Sequence, residues 1–250
     1  KQCCRIDGNT GGDLKVKIIS GVFLSFLDVL KFTLKFHCTS VTIINNNQNI
    51  FAYNKYYLTN ERRIYMNLEK YQQYSRIARG LEKADLVLKD ARIVNVFTEE
   101  IIRGDIAIQD GIIAGIGSFH GKEERDLAGR YVCPGFIDSH LHLESTLVTP
   151  AELVTVASRH GTTTFIVDPH ESANVSGLAG VDYILDQTEN VKANVYVMMP
   201  SCVPATAIDD NGCTLTAGDM APYLHNSRIL GLGEVMDSIS VVQGEKSMHD

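Results

Sequence analysis

The stretch Pro134-Gly135-Phe136-Ile137-Asp138-Ser139-His140-Leu141-His142 decides the fold. It reads as a strand that runs into two histidines. Downstream the rhythm repeats: a helix over 150–159, the strand Thr162-Thr163-Thr164-Phe165-Ile166-Val167-Asp168, a helix over 175–189, and the strand Asn194-Val195-Tyr196-Val197-Met198-Met199. A short helix over 217–224 and a fourth strand over 228–236 complete the pattern. Strands alternating with helices predict parallel βαβ units. Residues 134–250 hold four strands in 117 residues, whereas a closed (β/α)8 barrel needs about 250. The segment is therefore either the first half of such a barrel or a self-contained four-stranded α/β domain.

Polar residues gather where these strands end, and parallel α/β folds form their active sites at those ends. His140 and His142 lie two apart, so both imidazoles point to one side of the strand and can reach one metal ion. Two histidines alone are a weak signal. The second strand, however, ends in Asp168-Pro169-His170-Glu171, the third in Pro200-Ser201-Cys202 and the fourth in Gly233-Glu234. Acidic or imidazole groups at three of four equivalent positions point to a metal site. Asp168, His170 and Glu171 either bind substrate or orient the ligands, with helix capping by Asp168 as the structural alternative. Ser201 and Cys202 read as pocket wall, Cys202 as a buried thiol rather than a ligand. Glu144 either lines the pocket or steadies the turn after the first strand.

Upstream, Asp105-Ile106-Ala107-Ile108-Gln109 meets Ile112-Ile113-Ala114-Gly115-Ile116 across Asp110-Gly111, a strong hairpin signal. Strands at 85–88 and 91–96 join it in a small antiparallel sheet, too small to stand alone. A helix is predicted over 67–83, with Leu68, Tyr71, Ile77 and Leu81 on one face.

Residues 1–65 differ in kind. They carry nine Lys/Arg against four Asp/Glu, while residues 66–250 carry 14 against 26, so the formal charge of −7 averages a basic leader and an acidic remainder. The leader shows neither helical period nor clean strand alternation. Its apolar run over 18–36 is broken by Asp28, Lys31 and Lys35, which argues against a membrane span. It reads as sequence upstream of a native start at Met66. The acidic balance also argues against a nucleic-acid binder. Six cysteines without a CxxC pair argue against a disulfide scaffold or zinc ribbon and favour a cytoplasmic protein.

The runs His140-Leu141-His142-Leu143-Glu144-Ser145, Asp168-Pro169-His170-Glu171, Pro200-Ser201-Cys202-Val203-Pro204-Ala205-Thr206 and Leu230-Gly231-Leu232-Gly233-Glu234-Val235-Met236 together resemble the bacterial and archaeal adenine deaminase family of the amidohydrolase superfamily. The resemblance starts at about Asn67. It implies a β-sandwich, partly present in 85–133, flanking a metal-bearing (β/α)8 barrel whose first half is 134–250, with 66–84 as an N-terminal helix. It implies a binuclear Mn or Fe site in which His140 and His142 bind the more buried ion and Glu234 bridges both. It also implies adenine as substrate, attack on C6 by metal-activated hydroxide, and proton transfer by a carboxylate, Glu234. Further ligands would come from the fifth, sixth and eighth strands, so the chain as written is expected to fold poorly and to lack activity, with homo-oligomers an expectation for the full-length enzyme. The alternatives are an amidohydrolase acting on a cyclic amide or amidine, disfavoured because the fourth strand has no Lys, and a non-catalytic scaffold on the same fold.

Overall fold

The computed structural model describes residues 40–44, 50–54 and 68–249. Two sheets dominate. The first contains β1 (Ser40–Ile44), β2 (Ile50–Asn54), β3 (Ala84–Asn95), β4 (Glu100–Gln109), β5 (Ile112–Gly117), β6 (Gly121–Asp126) and β7 (Tyr131–Pro134). Its order is β2-β1-β7-β3-β4-β5, with β6 also beside β3. The expected hairpin joins β4 to β5, and both turn residues take the positive φ that a two-residue turn demands, 50° at Asp110 and 78° at Gly111. The strands expected at 85–88 and 91–96 are one strand, β3, with an irregularity between Leu88 and Ala91. Asp90 lies there at φ 50°, which lets the strand bend without ending.

Two features had no sequence signal. β6 is Gly-Lys-Glu-Glu-Arg-Asp and pairs in parallel with β3; its order comes from backbone pairing, so no apolar alternation marks it. β1 and β2 form an antiparallel hairpin, and β1 adds to β7, so part of 1–65 is strand where none was expected. Edge pairing of this kind is a tertiary effect that local pattern does not report. The expectations of a native start at Met66, of a non-native leader and of an apolar run at 18–36 otherwise fall outside the described residues. Among the described residues no helix is long and apolar enough to cross a membrane.

The first helix, α1 (Leu68–Ala78), is shorter than expected. Gly80 at φ 71° closes it, with its N–H on the Ile77 carbonyl and the Leu81 N–H on the Arg76 carbonyl. Only one member of the expected apolar face is buried. Ile77 is fully enclosed with Ala84, Val87, Ala107 and Phe119, whereas Leu68, Tyr71 and Leu81 are exposed. Burying that one isoleucine stabilises the helix contact by roughly 2–3 kcal/mol. The opposite face of the sheet packs Leu86, Leu88, Ile93, Ile106, Ile108 and Val132 into a second cluster.

The second sheet is the expected parallel one. β8 (Phe136–Leu141), β9 (Thr162–Val167), β10 (Asn194–Met199) and β11 (Ile229–Leu232) lie side by side in chain order. Between them run α2 (Pro150–Ser158), α3 (His170–Ser176), α4 (Leu178–Gln187) and α5 (Ala217–Met220), the last followed by a 3-10 turn over Ala221–His225. Thr149 caps α2 and Pro150 occupies its first turn. The single helix expected over 175–189 is two helices, broken at Gly177. The fourth strand ends at Leu232 rather than Met236, which leaves Gly233 and Glu234 in the loop above it.

β9 and β10 alternate between buried and half-buried residues, and the buried set is Thr163, Phe165 and Val167 with Val195, Val197 and Met199. That face packs on Val154 of α2 and on Val181 and Ile184 of α4. Beyond the sheet, α6 (Ser238–Gln243) and α7 (Lys246–His249) close the described chain. His249 sits on α7 with its Nε2 3.0 Å from the Val241 carbonyl oxygen. The turn at Gly244, φ 69°, folds α7 back.

Candidate metal centre

The loops after β8, β9, β10 and β11 converge at one end of the parallel sheet, as the direction of the strands requires. His140 and His142 flank the end of β8, and their Nε2 atoms are 3.2 Å apart. The rings meet edge to face. Glu234 reaches them from the loop after β11, with one carboxylate oxygen 3.3 Å from His142 Nε2 and the other 3.8 Å from His140 Nε2. Two imidazole nitrogens and a carboxylate thus face one point. His140 and Glu234 are exposed, while His142 is half-buried.

A second set of acids stands behind His142. Glu171 Oε2 is 3.0 Å from His142 Nδ1, and Ser145 donates from its Oγ to Glu171 Oε1 at 3.0 Å. Glu144 accepts the Ser172 N–H at 3.1 Å. Burial, with the neighbouring Glu171 carboxylate, pushes the Glu144 carboxyl above its ordinary range. Burial also pushes Glu171 upward, but hydrogen bonds from its own amide, from Glu144 and from Ser145, with the nearby His142, outweigh it and bring Glu171 below the ordinary value. For His142, burial lowers the pKa, yet the surrounding carboxylates, Glu171 first and then Asp168, Glu144 and Glu234, prevail and raise it. The site is therefore strongly electronegative, as a cation site must be.

Asp168 and His170 close the floor. Asp168 is fully buried and His170 nearly so. Asp168 Oδ2 accepts the Glu234 N–H at 2.9 Å, and Asp168 Oδ1 contacts His170 Nδ1. Asp168 caps no helix: the residue before α3 is Pro169, and that helix has no side-chain cap. Ser201, half-buried, donates from its Oγ to the Glu234 carbonyl oxygen at 2.5 Å, and lies 3.5 Å from the buried Cys202 Sγ.

The donor set fits a divalent cation. Three groups of side chains bring ligand atoms within 4.8 Å of one another: His140, His142 and Glu234; His142, Glu144 and Glu171; and Asp168, His170 and Glu234. The buried His170 Nε2 has no hydrogen-bond partner, a cost that a buried polar atom carries only where some other contact satisfies it. Nitrogen and oxygen donors without thiolate suit a hard or borderline divalent cation rather than a soft metal.

All the residues expected at the site therefore sit at the same strand ends. His140, His142, Glu171 and Glu234 approach one another through their side chains, and Asp168 and His170 lie beneath. Ser201 reaches the Glu234 backbone instead of the imidazoles, and Cys202 lies against Ser201. Sequence reading missed the partnership of Asp168 with the Gly233-Glu234 peptide. The available signal was the glycine immediately before the strand-end acid.

The parallel sheet in chain order thus carries a His-X-His strand end and a carboxylate from the loop after its fourth strand. Residues 131–238 match the Amidohydrolase family. More narrowly, the chain is similar to adenine deaminases. It is 60% identical over 169 residues to the adenine deaminase of Desulfitobacterium hafniense, which covers 68% of this chain and 30% of that protein. It is 49% identical over 168 residues to that of Geobacillus kaustophilus, covering 67% and 29%. It is 48% identical over 172 residues to adenine deaminase 2 of Carboxydothermus hydrogenoformans, covering 69% and 30%. The chain thus spans about 30% of the length of these curated relatives.

Proposed function

We propose that this chain carries the first half of a metal-dependent (β/α)8 barrel, over 134–250, preceded by part of a β-sandwich over 85–133 and an N-terminal helix within 66–84, and that it serves the hydrolytic deamination of adenine to hypoxanthine and ammonia. The observation that carries the reading is the convergence of His140, His142 and Glu234 at the parallel strand ends, on a chain similar to adenine deaminases. The in-order parallel sheet supports a barrel over a doubly wound fold, in which strand order reverses.

His140, His142 and Glu234 would hold a divalent ion, Mn or Fe in a binuclear arrangement. Such an ion lowers the pKa of water toward neutrality and polarises the reacting carbon's environment. The chain's own residues then have separable tasks. Glu234 would take one proton from water as the water oxygen bonds to C6 of adenine and pass it to the amine as the C6–N bond breaks, the second water proton ending on N1; an exposed carboxylate beside two imidazoles is suited to this. Glu171 and Glu144 set the charge around His142. His170 and Cys202 with Ser201 would shape the wall that receives the purine, and Asp168 supports them from below. The same reading places the protein in cytoplasmic purine salvage, as part of an enzyme that forms homo-oligomers. A cyclic-amide hydrolase fits less well, because the fourth strand and its loop over 229–236 contain no Lys that could be carboxylated as a bridging ligand.

A chimera tests this. Residues 68–249 replace the corresponding segment of the Desulfitobacterium hafniense adenine deaminase, and ammonia release is followed with adenine, hydantoin and dihydroorotate. The reading expects turnover of adenine alone, abolished by His142→Ala. A folded, metal-loaded chimera that is inactive on adenine, or that prefers a cyclic amide, contradicts it.

A further inference from the structure

Glu234 lies beyond the end of β11, where strand pairing no longer fixes the backbone. The last ladder-like bond is one residue earlier, from the Gly233 N–H to the Met199 carbonyl at 2.6 Å. Yet the Glu234 residue is held on both its polar backbone atoms. Its N–H goes to Asp168 Oδ2 at 2.9 Å and its carbonyl accepts Ser201 Oγ at 2.5 Å. The two holders come from different strand ends, Asp168 after β9 and Ser201 after β10. Asp168 is fully buried, so its carboxylate faces protein on all sides. A charged acceptor on a backbone amide is among the stronger hydrogen bonds available.

The glycine before Glu234 makes the arrangement possible. A Cβ on Gly233 would collide with the Asp168 carboxylate, at Oδ2 first. Gly233 is therefore required for close approach rather than for its φ, which is not in the positive range. Asp168, Gly233 and Ser201 form one device around a single backbone unit.

We propose that Asp168 and Ser201 are positioning residues that aim the Glu234 carboxylate at His140 and His142. The proposal rests on the reading of Glu234 as a metal ligand, and adds how that ligand is oriented. Groups that hold a ligand in place typically change metal affinity by about 10–100-fold when removed.

The test is a Mn2+ titration of the full chain, read by the loss of the free-ion EPR signal, with thermal melting in chelator alongside. Ser201→Ala removes only a half-buried hydroxyl. It is expected to weaken Mn2+ binding about 10-fold while leaving melting in chelator unchanged. Ser201→Thr keeps the hydroxyl and is expected to retain the affinity of the unsubstituted chain. Asp168→Ala is expected to weaken binding by up to about 100-fold and to expose the Glu234 amide to hydrogen exchange; should that variant unfold, Ser201→Ala against Ser201→Thr still decides. Glu234→Ala separates the two levels of inference. If it abolishes Mn2+ binding while Ser201→Ala and Asp168→Ala leave it intact, the positioning proposal is overturned and the metal site stands. If Glu234→Ala leaves binding intact, or the unsubstituted chain binds no Mn2+, the metal site itself is overturned and the proposal falls with it.

Discussion

Two buried aspartates, one in each sheet, show how differently the same side chain is used. Asp105 in the first, mixed sheet is saturated. Lys89 Nζ donates to it at 2.5 Å, the Asp90 N–H at 3.1 Å and the Phe119 N–H at 3.2 Å. Burial raises the Asp105 pKa, but these donors outweigh it and hold the carboxyl below its ordinary value. Asp168 in the parallel sheet has one amide donor and lies against a histidine whose Nε2 has no partner. The first site is closed and serves the fold. The second retains unused coordinating capacity, and the surrounding His140, His142 and Glu234 extend it toward solvent.

The contrast yields an ordered set of expectations. The largest effect belongs to the open site: His142→Ala should weaken Mn2+ binding by more than the roughly 100-fold ascribed to supporting groups, with little change in melting in chelator. A melting loss without an affinity loss would make the two aspartate environments alike. Next, Asp105→Ala should cost about 2–3 kcal/mol in urea unfolding, since it leaves the Asp90 and Phe119 amides without their acceptor and Lys89 with the Phe119 carbonyl alone, and should leave Mn2+ affinity unchanged.

The same residue sets a pH dependence. A carboxyl with a depressed folded-state pKa stabilises the fold fully above its unfolded value of about 3.9, and that contribution is lost as pH falls through the folded value. Asp105→Asn should therefore flatten the acid limb of the stability profile below about pH 4 and change its slope little near neutrality.

Gly233→Ala should cost about 1–3 kcal/mol through overpacking against Asp168. In an Asp168→Ala background the penalty should largely vanish, a coupling that a double-mutant cycle in urea measures directly. Equal penalties in both backgrounds would break the link between the glycine and the aspartate. The smallest effect is expected at Thr149→Ala, about 1 kcal/mol from loss of the α2 cap, with no effect on the metal.

The two halves were unequally legible in the sequence. The β4–β5 hairpin was readable because Asp110-Gly111 satisfies a local backbone requirement. The parallel strands were readable because their apolar runs are bounded by turn residues and their ends carry His140, His142, Asp168 and Glu234. β6, β1 and β2 were not, since their order depends on pairing with β3 and β7, and a charged segment such as Lys122-Glu123-Glu124-Arg125 advertises no buried face. The same limit applies within the site. Residue types and strand-end placement can be inferred from the chain, but which backbone atoms Asp168 and Ser201 hold depends on three strand ends meeting, across 66 residues in the case of Asp168 and Glu234.

The central claim is that His140, His142 and Glu234 form a divalent-metal site at the ends of the parallel strands. Anomalous diffraction at the manganese edge from crystals of the full chain grown with Mn2+ tests it most directly. A peak is expected within coordination distance of both His Nε2 atoms and the Glu234 carboxylate. A peak confined to Glu144 and Glu171, or no peak at the strand ends, would contradict it.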